Sequence, residues 1–106
     1  MMRKITWSPE SRDDYNKNIT YLLDGWTERE AQIFIDEVDE LLFQLKQGNV
    51  DFKQIGYREI RSVKVCDQIN LLYRFTQDNN IELIRLWGNR QDPKKLKEAL
   101  NTYFTK

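Results

Sequence analysis

The spacing of apolar residues changes from a helical to a strand period about halfway along the chain. In the first half, two stretches carry apolar residues every three or four positions, which predicts two amphipathic helices. In the second half, apolar and polar residues alternate in the runs 57–65, 69–77 and 81–87, which predicts three strands. A short β-prone run, 3–7, opens the chain, and a last helical repeat follows Pro93.

Residues typical of helix ends mark where the first two helices begin and stop. Ser8-Pro9 reads as an N-cap followed by proline in the first turn, and the helix is predicted to run to about Leu23. Thr27 with Glu30 three positions later forms the pattern of a capping box for the second helix. That helix carries a continuous apolar stripe of Ala31, Phe34, Ile35, Val38, Leu41, Leu42 and Leu45, and Gly48-Asn49 ends it. So short a link predicts an antiparallel helical hairpin.

The order β-α-α-β-β-β, followed by a short C-terminal helix after Asp92-Pro93, predicts one α+β domain over residues 1–106. We expect the helical hairpin to pack on one face of an antiparallel sheet and the other face to stay open. Strict alternation places Ile60, Leu71, Tyr73, Phe75, Ile84 and Leu86 on the covered face. It places Glu59, Arg61, Leu72, Arg74, Arg85 and Trp87 on the open face.

Composition narrows the chemistry that this domain can perform. The chain has no histidine, one cysteine and no CxxC, HExxH or glycine-rich phosphate motif, so we expect no metal and no cofactor. A lone Cys66 fits a reducing cytoplasm, and no apolar run is long enough to span a membrane. Net charge is zero, but residues 1–50 carry 10 acidic and 6 basic residues, whereas residues 51–106 carry 7 acidic and 11 basic residues. The basic second half can attract an acidic partner.

The strongest candidate for a site is a group of three arginines on the predicted open face, Arg61, Arg74 and Arg85. Guanidinium groups bind phosphate or carboxylate, and the nearby Trp87 offers a surface for stacking. The alternative is a solvated sheet face on which the arginines pair across strands with Glu59 or Glu82. The residues alone leave both interpretations open.

Four segments, taken in order, resemble the RelE/ParE toxin family. ITWSPESRDDY is similar to the family's opening strand and helix start, and REIRSVKV to its second strand. INLLYRF resembles the third strand, and IELIRLWGNRQDP resembles the closing strand with its Arg-x-Asp-Pro tail. The resemblance implies a bacterial toxin that a cognate antitoxin neutralises. It also implies one of two targets: RelE-type members cut messenger RNA on the ribosome, and ParE-type members inhibit DNA gyrase.

The sequence departs from the RNA-cleaving pattern in two places. Asn70 stands where some cleaving members carry arginine, and Trp87-Gly88 stands where they end with a pair such as His-Tyr. Cleavage needs a base, an acid and a cation beside the phosphate, and no good acid remains. We therefore expect a ParE-like gyrase inhibitor that docks through Arg61, Arg74, Arg85, Trp87 and Arg90.

Two alternatives to the gyrase inhibitor stay open. The first is a RelE-like nuclease of ribosome-bound message that uses Glu59 as base with Arg61 and Arg74 as a phosphate clamp. The second is a non-toxic module that only binds an antitoxin. In each case we expect an acidic or amphipathic antitoxin segment to cross the hairpin and the sheet edge toward the arginines.

Overall fold

The computed structural model describes residues 3–25, 27–48, 52–66, 68–88 and 93–105, which form four strands and three helices. The elements in chain order are β1 Ile5–Trp7, α1 Pro9–Gly25, α2 Glu28–Gln47, β2 Arg61–Cys66, β3 Ile69–Phe75, β4 Ile81–Gly88 and α3 Pro93–Phe104. This order confirms the predicted α+β class, with its helical hairpin after the first strand and its C-terminal helix.

The four strands form one sheet in the order β1-β4-β3-β2. Strands β2, β3 and β4 are an antiparallel meander, as predicted. Strand β1 lies at the edge and is parallel to β4, so the sheet is mixed and not wholly antiparallel. A parallel neighbour requires a long crossover connection, which the hairpin and the meander supply here.

Residues at the helix ends bond as their types predict. The Ser8 hydroxyl oxygen accepts a hydrogen bond from the Ser11 amide at 3.0 Å and donates one to the Ile84 carbonyl at 2.9 Å. It therefore caps α1 and also ties that helix to β4. At α2, the Thr27 side chain accepts from the Glu30 amide, and Gly48 ends the helix at φ 75°, where an L side chain is disfavoured.

The apolar stripe of α2 packs on one face of the sheet, which we call the hairpin side. Its core includes Phe34, Val38 and Leu45 from α2, with Leu71 and Tyr73 from β3. Trp7, Tyr15 and Ile19 pack against this core from β1 and α1. The predicted packing of the hairpin on the sheet is therefore confirmed.

The opposite face of the sheet, which we call the α3 side, is not open. A second core joins Leu72, Ile84 and Trp87 of the sheet to Leu100 of α3, with Ile60 beside them. The prediction of an open face was wrong because an amphipathic α3 needs a partner for its apolar stripe. Leu72 and Trp87 provide that partner.

Strand β4 contains a bulge that changes which of its residues face each core. Leu72 pairs with Arg85, but the next residue, Tyr73, pairs with Leu83, so Ile84 is the extra residue. Leu83 and Leu86 consequently belong to the hairpin-side core, and Ile84 belongs to the α3-side core. The expectation that Ile84 shares a face with Leu86 was wrong, because strict alternation fails at a bulge.

The second strand begins later than predicted. Residues 57–60 precede β2, and Arg58 and Glu59 have φ values of 49° and 60°, while Gly56 has 81°. Left-handed backbone cannot continue a strand, so this stretch turns instead. The turn places Ile60 in the α3-side core and not, as predicted, with Leu71 and Tyr73.

Candidate functional site

Arg74 lies in a cluster on the α3 side that links two strands to the last helix. Arg74 and Glu82 are directly paired across β3 and β4, and both the Nε and Nη2 atoms of Arg74 lie 3.0 Å from Glu82 Oε1. The Tyr103 hydroxyl donates to the other oxygen of the same carboxylate. The guanidinium carbon also sits 4.8 Å from the centre of the Phe104 ring. Arg74 is thus held by one carboxylate and one aromatic face.

Arg85 is neutralised by a carboxylate from α1. Its Nε and Nη2 atoms lie 2.6 and 2.9 Å from the two oxygens of Asp14, a bidentate arrangement. The same Asp14 accepts a hydrogen bond from the Leu86 amide at 3.1 Å. The side chains of Arg85 and Asp14 are only 23% and 11% exposed, and the Arg85 guanidinium stacks 5.1 Å from the Trp87 ring. This pair fastens α1 to the edge of β4.

Arg61 lies on the hairpin side, away from Arg74. It pairs with Tyr73 across the strands, and directly opposed side chains point to the same face of a sheet. Its Nη1 atom donates to the Phe52 carbonyl at 2.5 Å, and its guanidinium lies 5.3 Å from the Phe75 ring. Glu59 is exposed in the preceding turn, and Glu59, Arg61, Gln54 and Phe75 line a small pocket of about 130 Å³.

The charged residues that were expected on one face of the sheet are therefore divided between its two faces and a turn. Arg74, Arg85 and Trp87 share the α3 side, as predicted, whereas Arg61 is on the hairpin side and Glu59 is in a turn. Trp87 is only 7% exposed because α3 covers it, so the expectation of an exposed ring was wrong. Arg90, and Asp92 before the C-terminal helix, lie outside the described residues.

The cluster around Arg74 is poorly suited to proton transfer. Burial, and then the hydrogen bond to Glu82, raise the pKa of Tyr103 well above its usual range. A phenol in this environment stays protonated and gives up its proton reluctantly. The chain has no histidine to take its place. Tyr103 is therefore a poor general acid or base near neutral pH.

Two carboxylates that define the site were weakly marked in the sequence. Glu82 was considered as a cross-strand partner for an arginine, and its pairing with Arg74 confirms that alternative for this residue. Asp14 was missed, because it stands among the polar residues at the start of α1. Its position six residues after the Ser8 cap is the one relevant feature of the sequence, and that position alone does not predict a contact with β4.

The described part of the chain shows neither a membrane helix nor a metal site. No helix within it combines the length and the apolar character needed to cross a bilayer. Within the same residues, no group of three or more histidine, cysteine, aspartate or glutamate side chains could hold a metal ion.

Comparison with known proteins finds similar structures but no similar sequence. No protein-family profile and no curated protein sequence matches the chain. The chromosomal ParDE TA system from P. aeruginosa superposes with a TM-score of 0.68 at 13% identity, covering 82% of this chain and 96% of that one. The YoeB/ParE toxin from Agrobacterium tumefaciens gives 0.61 at 15% identity, over 81% and 98%.

The YoeB–YefM complex from Staphylococcus aureus gives a TM-score of 0.55 at 17% identity, covering 81% of this chain and 95% of that one. This chain has the fold of the RelE/ParE toxins. The resemblance of the four sequence segments to that family is thus matched by the course of the backbone. At such low identities the likeness shows the fold alone.

Proposed function

We propose that this chain is the toxin of a type II toxin–antitoxin pair, neutralised by a cognate antitoxin and active in the cytoplasm. The fold supports the proposal, since solved structures that superpose on most of the chain are described as a ParDE TA system, a YoeB/ParE toxin and a YoeB–YefM complex. The unequal distribution of charge along the chain fits a partner that recognises one part of its surface.

We further propose that the toxin acts by docking on DNA gyrase. The observation that carries this choice is the separation of the arginines. A phosphate clamp of the nuclease type needs Arg61 and Arg74 around one phosphate, but they lie on opposite faces of the sheet. Arg85 is already neutralised by Asp14. A docking surface tolerates this arrangement, because it needs shape and charge at the surface and no assembled catalytic group.

The docking surface proposed from the sequence needs adjustment. Arg74 is paired with Glu82, but its side chain is 37% exposed, so part of the guanidinium can still contact a partner beside Phe104. Trp87 and Arg85 lie deeper and would support the surface from beneath. Arg61 would contribute only to a partner that also reaches the hairpin side.

Cleavage of message is the second candidate, and one observation favours it. Glu59 and Arg61 line the same small pocket with Gln54, so a carboxylate base and one cation are close together. The nuclease would then use this pocket alone, without Arg74. It would still lack a good acid for the leaving 5′-oxygen.

Two assays with the purified chain separate the candidates. We expect inhibition of DNA supercoiling by purified gyrase, and no cutting of message in a purified translation system. Glu59→Gln keeps the shape of the side chain and removes the base. It should leave gyrase inhibition unchanged, as should the control Glu98→Gln at an exposed position of α3. Ribosome-dependent cutting that falls about 10²-fold in Glu59→Gln alone would instead establish the nuclease.

Growth assays test the toxin proposal itself. Expression of the chain should stop growth, and co-expression of the product of the adjacent reading frame should restore it. A chain that binds that product but never slows growth would be a non-toxic binding module.

A further inference from the structure

The helices on the two sides of the sheet carry charge of opposite sign. Helices α1 and α2 contain four and six acidic residues, against two basic residues each. Helix α3 instead contains three lysines, Lys94, Lys95 and Lys97, against one carboxylate, Glu98, and all four side chains are exposed. Such a distribution turns α3 toward an approaching polyanion and the helical hairpin away from it.

One border of the exposed face of α3 continues into the turn before β2. Lys94, Lys97 and Asn101 are three and four residues apart, so they lie along one side of the helix over a length of about 10 Å. The Tyr57 hydroxyl donates to the Asn101 side-chain oxygen, and the Arg58 Nε atom donates to the Tyr57 hydroxyl oxygen at 3.2 Å. Arg58 thus follows the two lysines as a third cation, and we call Lys94, Lys97 and Arg58 the basic row.

Arg58 and Arg74 lie beside the same aromatic ring. Their guanidinium carbons are 4.9 and 4.8 Å from the centre of the Phe104 ring, so the two carbons are no more than 9.7 Å apart. Arg58 is exposed, whereas Arg74 is paired with Glu82 and partly exposed. The positive charge of α3 therefore extends through Arg58 to the cluster around Arg74.

The turn that holds Arg58 has a strained backbone. Arg58 and Glu59 both adopt left-handed conformations, which residues other than glycine and asparagine rarely do. The Ile60 amide donates to the Tyr57 carbonyl at 2.9 Å, and Ile60 is fully buried, so the α3-side core fixes this conformation. Strain of this kind persists where the surrounding structure imposes it, and here it places a cation against α3.

The surface suits the phosphate backbone of a duplex better than the bases of a single strand. Single strands are bound by stacking of their bases on open aromatic rings. On the α3 side, the Phe104 ring already contacts two guanidinium groups and Trp87 is buried, so neither ring is freely available to a base. Two of the cations in the basic row lie on a helix, and an α-helix enters the major groove of B-form DNA but not the deep, narrow groove of A-form RNA.

We propose that α3 and the turn before β2 bind double-stranded DNA, with the basic row and Arg74 in contact with phosphates. Binding would be independent of base sequence, because contacts from lysine and arginine to phosphates carry no sequence information. The proposal goes beyond docking on gyrase and does not depend on it, since it concerns the chain and DNA alone.

The test adds the full chain to a short, fluorescently labelled DNA duplex of mixed sequence and follows anisotropy at several salt concentrations. Four phosphate contacts predict that log affinity falls against log salt with a slope of about −3.6. Lys94→Gln/Lys97→Gln should bind on the order of tenfold more weakly and reduce the steepness of this slope by about 1.8. The control Lys4→Gln/Lys46→Gln removes the same charge at two exposed lysines near β1 and the end of α2. It should lower the affinity by about twofold or less, because distant charges are screened.

Three results would overturn the proposal. The first is an equal loss of affinity in the two double variants. The second is binding of a single strand or of duplex RNA at least as tight as that of duplex DNA, and the third is equal binding of poly-glutamate of matched charge. A chain that inhibits gyrase but does not bind DNA would refute DNA binding and leave the proposed function standing. DNA binding by a chain that inhibits neither gyrase nor growth would do the reverse.

Discussion

Breaking the ion pair between Asp14 and Arg85 should destabilise the fold far more than breaking the ion pair one residue earlier on the same helix. Asp14 accepts three hydrogen bonds, two from Arg85 and one from the Leu86 amide. Asp13 pairs with Lys17 at 2.9 Å, but these side chains are 61% and 75% exposed. The two neighbours therefore make a matched comparison, in which residue type and helix position are nearly the same and burial differs.

The magnitudes follow from what each truncation leaves behind. Asp14→Ala leaves a mostly buried guanidinium without its carboxylate and the Leu86 amide without its acceptor, which should cost about 3–4 kcal/mol. Asp14→Asn keeps an acceptor for the amide and should cost about 1–2 kcal/mol. Asp13→Ala removes an exposed pair and should cost about 0.5 kcal/mol or less. On the open face expected from the sequence, Arg85→Ala would cost about 1 kcal/mol or less, whereas here we expect about 2–3 kcal/mol.

Urea unfolding followed by tryptophan fluorescence and far-UV circular dichroism measures these free energies, provided that the slopes of the transitions agree among the variants. A double-mutant cycle between Asp14→Ala and Arg85→Ala should give a coupling energy of about 1 kcal/mol or more. Equal losses for Asp14→Ala and Asp13→Ala, or a coupling energy near zero, would refute the reasoning.

Two further predictions concern the two cores. Leu45→Ala should destabilise the fold by about 2–5 kcal/mol because Leu45 is fully buried. Ile33→Ala, on the exposed face of the same helix, should cost about 0.5 kcal/mol or less. Similar costs for the two variants in urea unfolding would contradict the assigned faces of α2. The pKa of Tyr103 is raised in the folded protein, by burial first and by its hydrogen bond to Glu82 second. The stability that protonated Tyr103 gives the fold is thus fully present below the unfolded pKa of about 10. That stability is lost as the pH rises through the folded pKa. Tyr103→Phe should flatten the loss of stability above about pH 10, and an unchanged pH profile would contradict this.

Local patterns explain why the helices could be predicted. Thr27 and Gly48 act through their own side chain or backbone, and the stripe from Ala31 to Leu45 follows one helical period. None of these features depends on a distant part of the chain. The strands β3 and β4 were found for the same reason, since alternation is a property of neighbouring residues.

Features that depend on pairing could not be read in the same way. Beside the bulge at Ile84, the cap residue Ser8 bonds to the Ile84 carbonyl and Asp14 of α1 bonds to the Leu86 amide, and the spacing of neighbouring residues encodes neither contact. Arg58 and Glu59 adopt left-handed backbone without being glycine or asparagine, so their type gave no warning of a turn. The bulge and the turn both place residues on the sheet face opposite to the predicted one, because one inserted or unpaired residue reverses the alternation that follows it.

The covered α3 side was nevertheless predictable in part. Two large apolar side chains, Leu72 and Trp87, fell on the face expected to be open, and the tail helix had an apolar stripe with no assigned partner. The apolar side chains on the sheet and the apolar stripe of the helix would both be exposed to water if left apart, so together they predict that the helix packs on that face. The candidate site changes accordingly, since α3 supplies Tyr103 and Phe104 to the cluster around Arg74.

The availability of Arg74 to an anion should depend on Glu82, which lies directly opposite it on β4. Glu82→Gln removes the competing charge but keeps an oxygen that can accept from Tyr103, so the fold should be retained. We expect tripolyphosphate, monitored through the Nε–H resonance of Arg74, to bind about two- to fivefold more tightly, since a partly exposed pair is worth about 0.5–1 kcal/mol. The control Asp13→Asn changes the net charge equally at an exposed position on α1, and should have a smaller effect because that charge is screened. An equal rise in both variants would mean that tripolyphosphate responds to net charge alone, and Arg74 would then have no special role in binding an anionic surface.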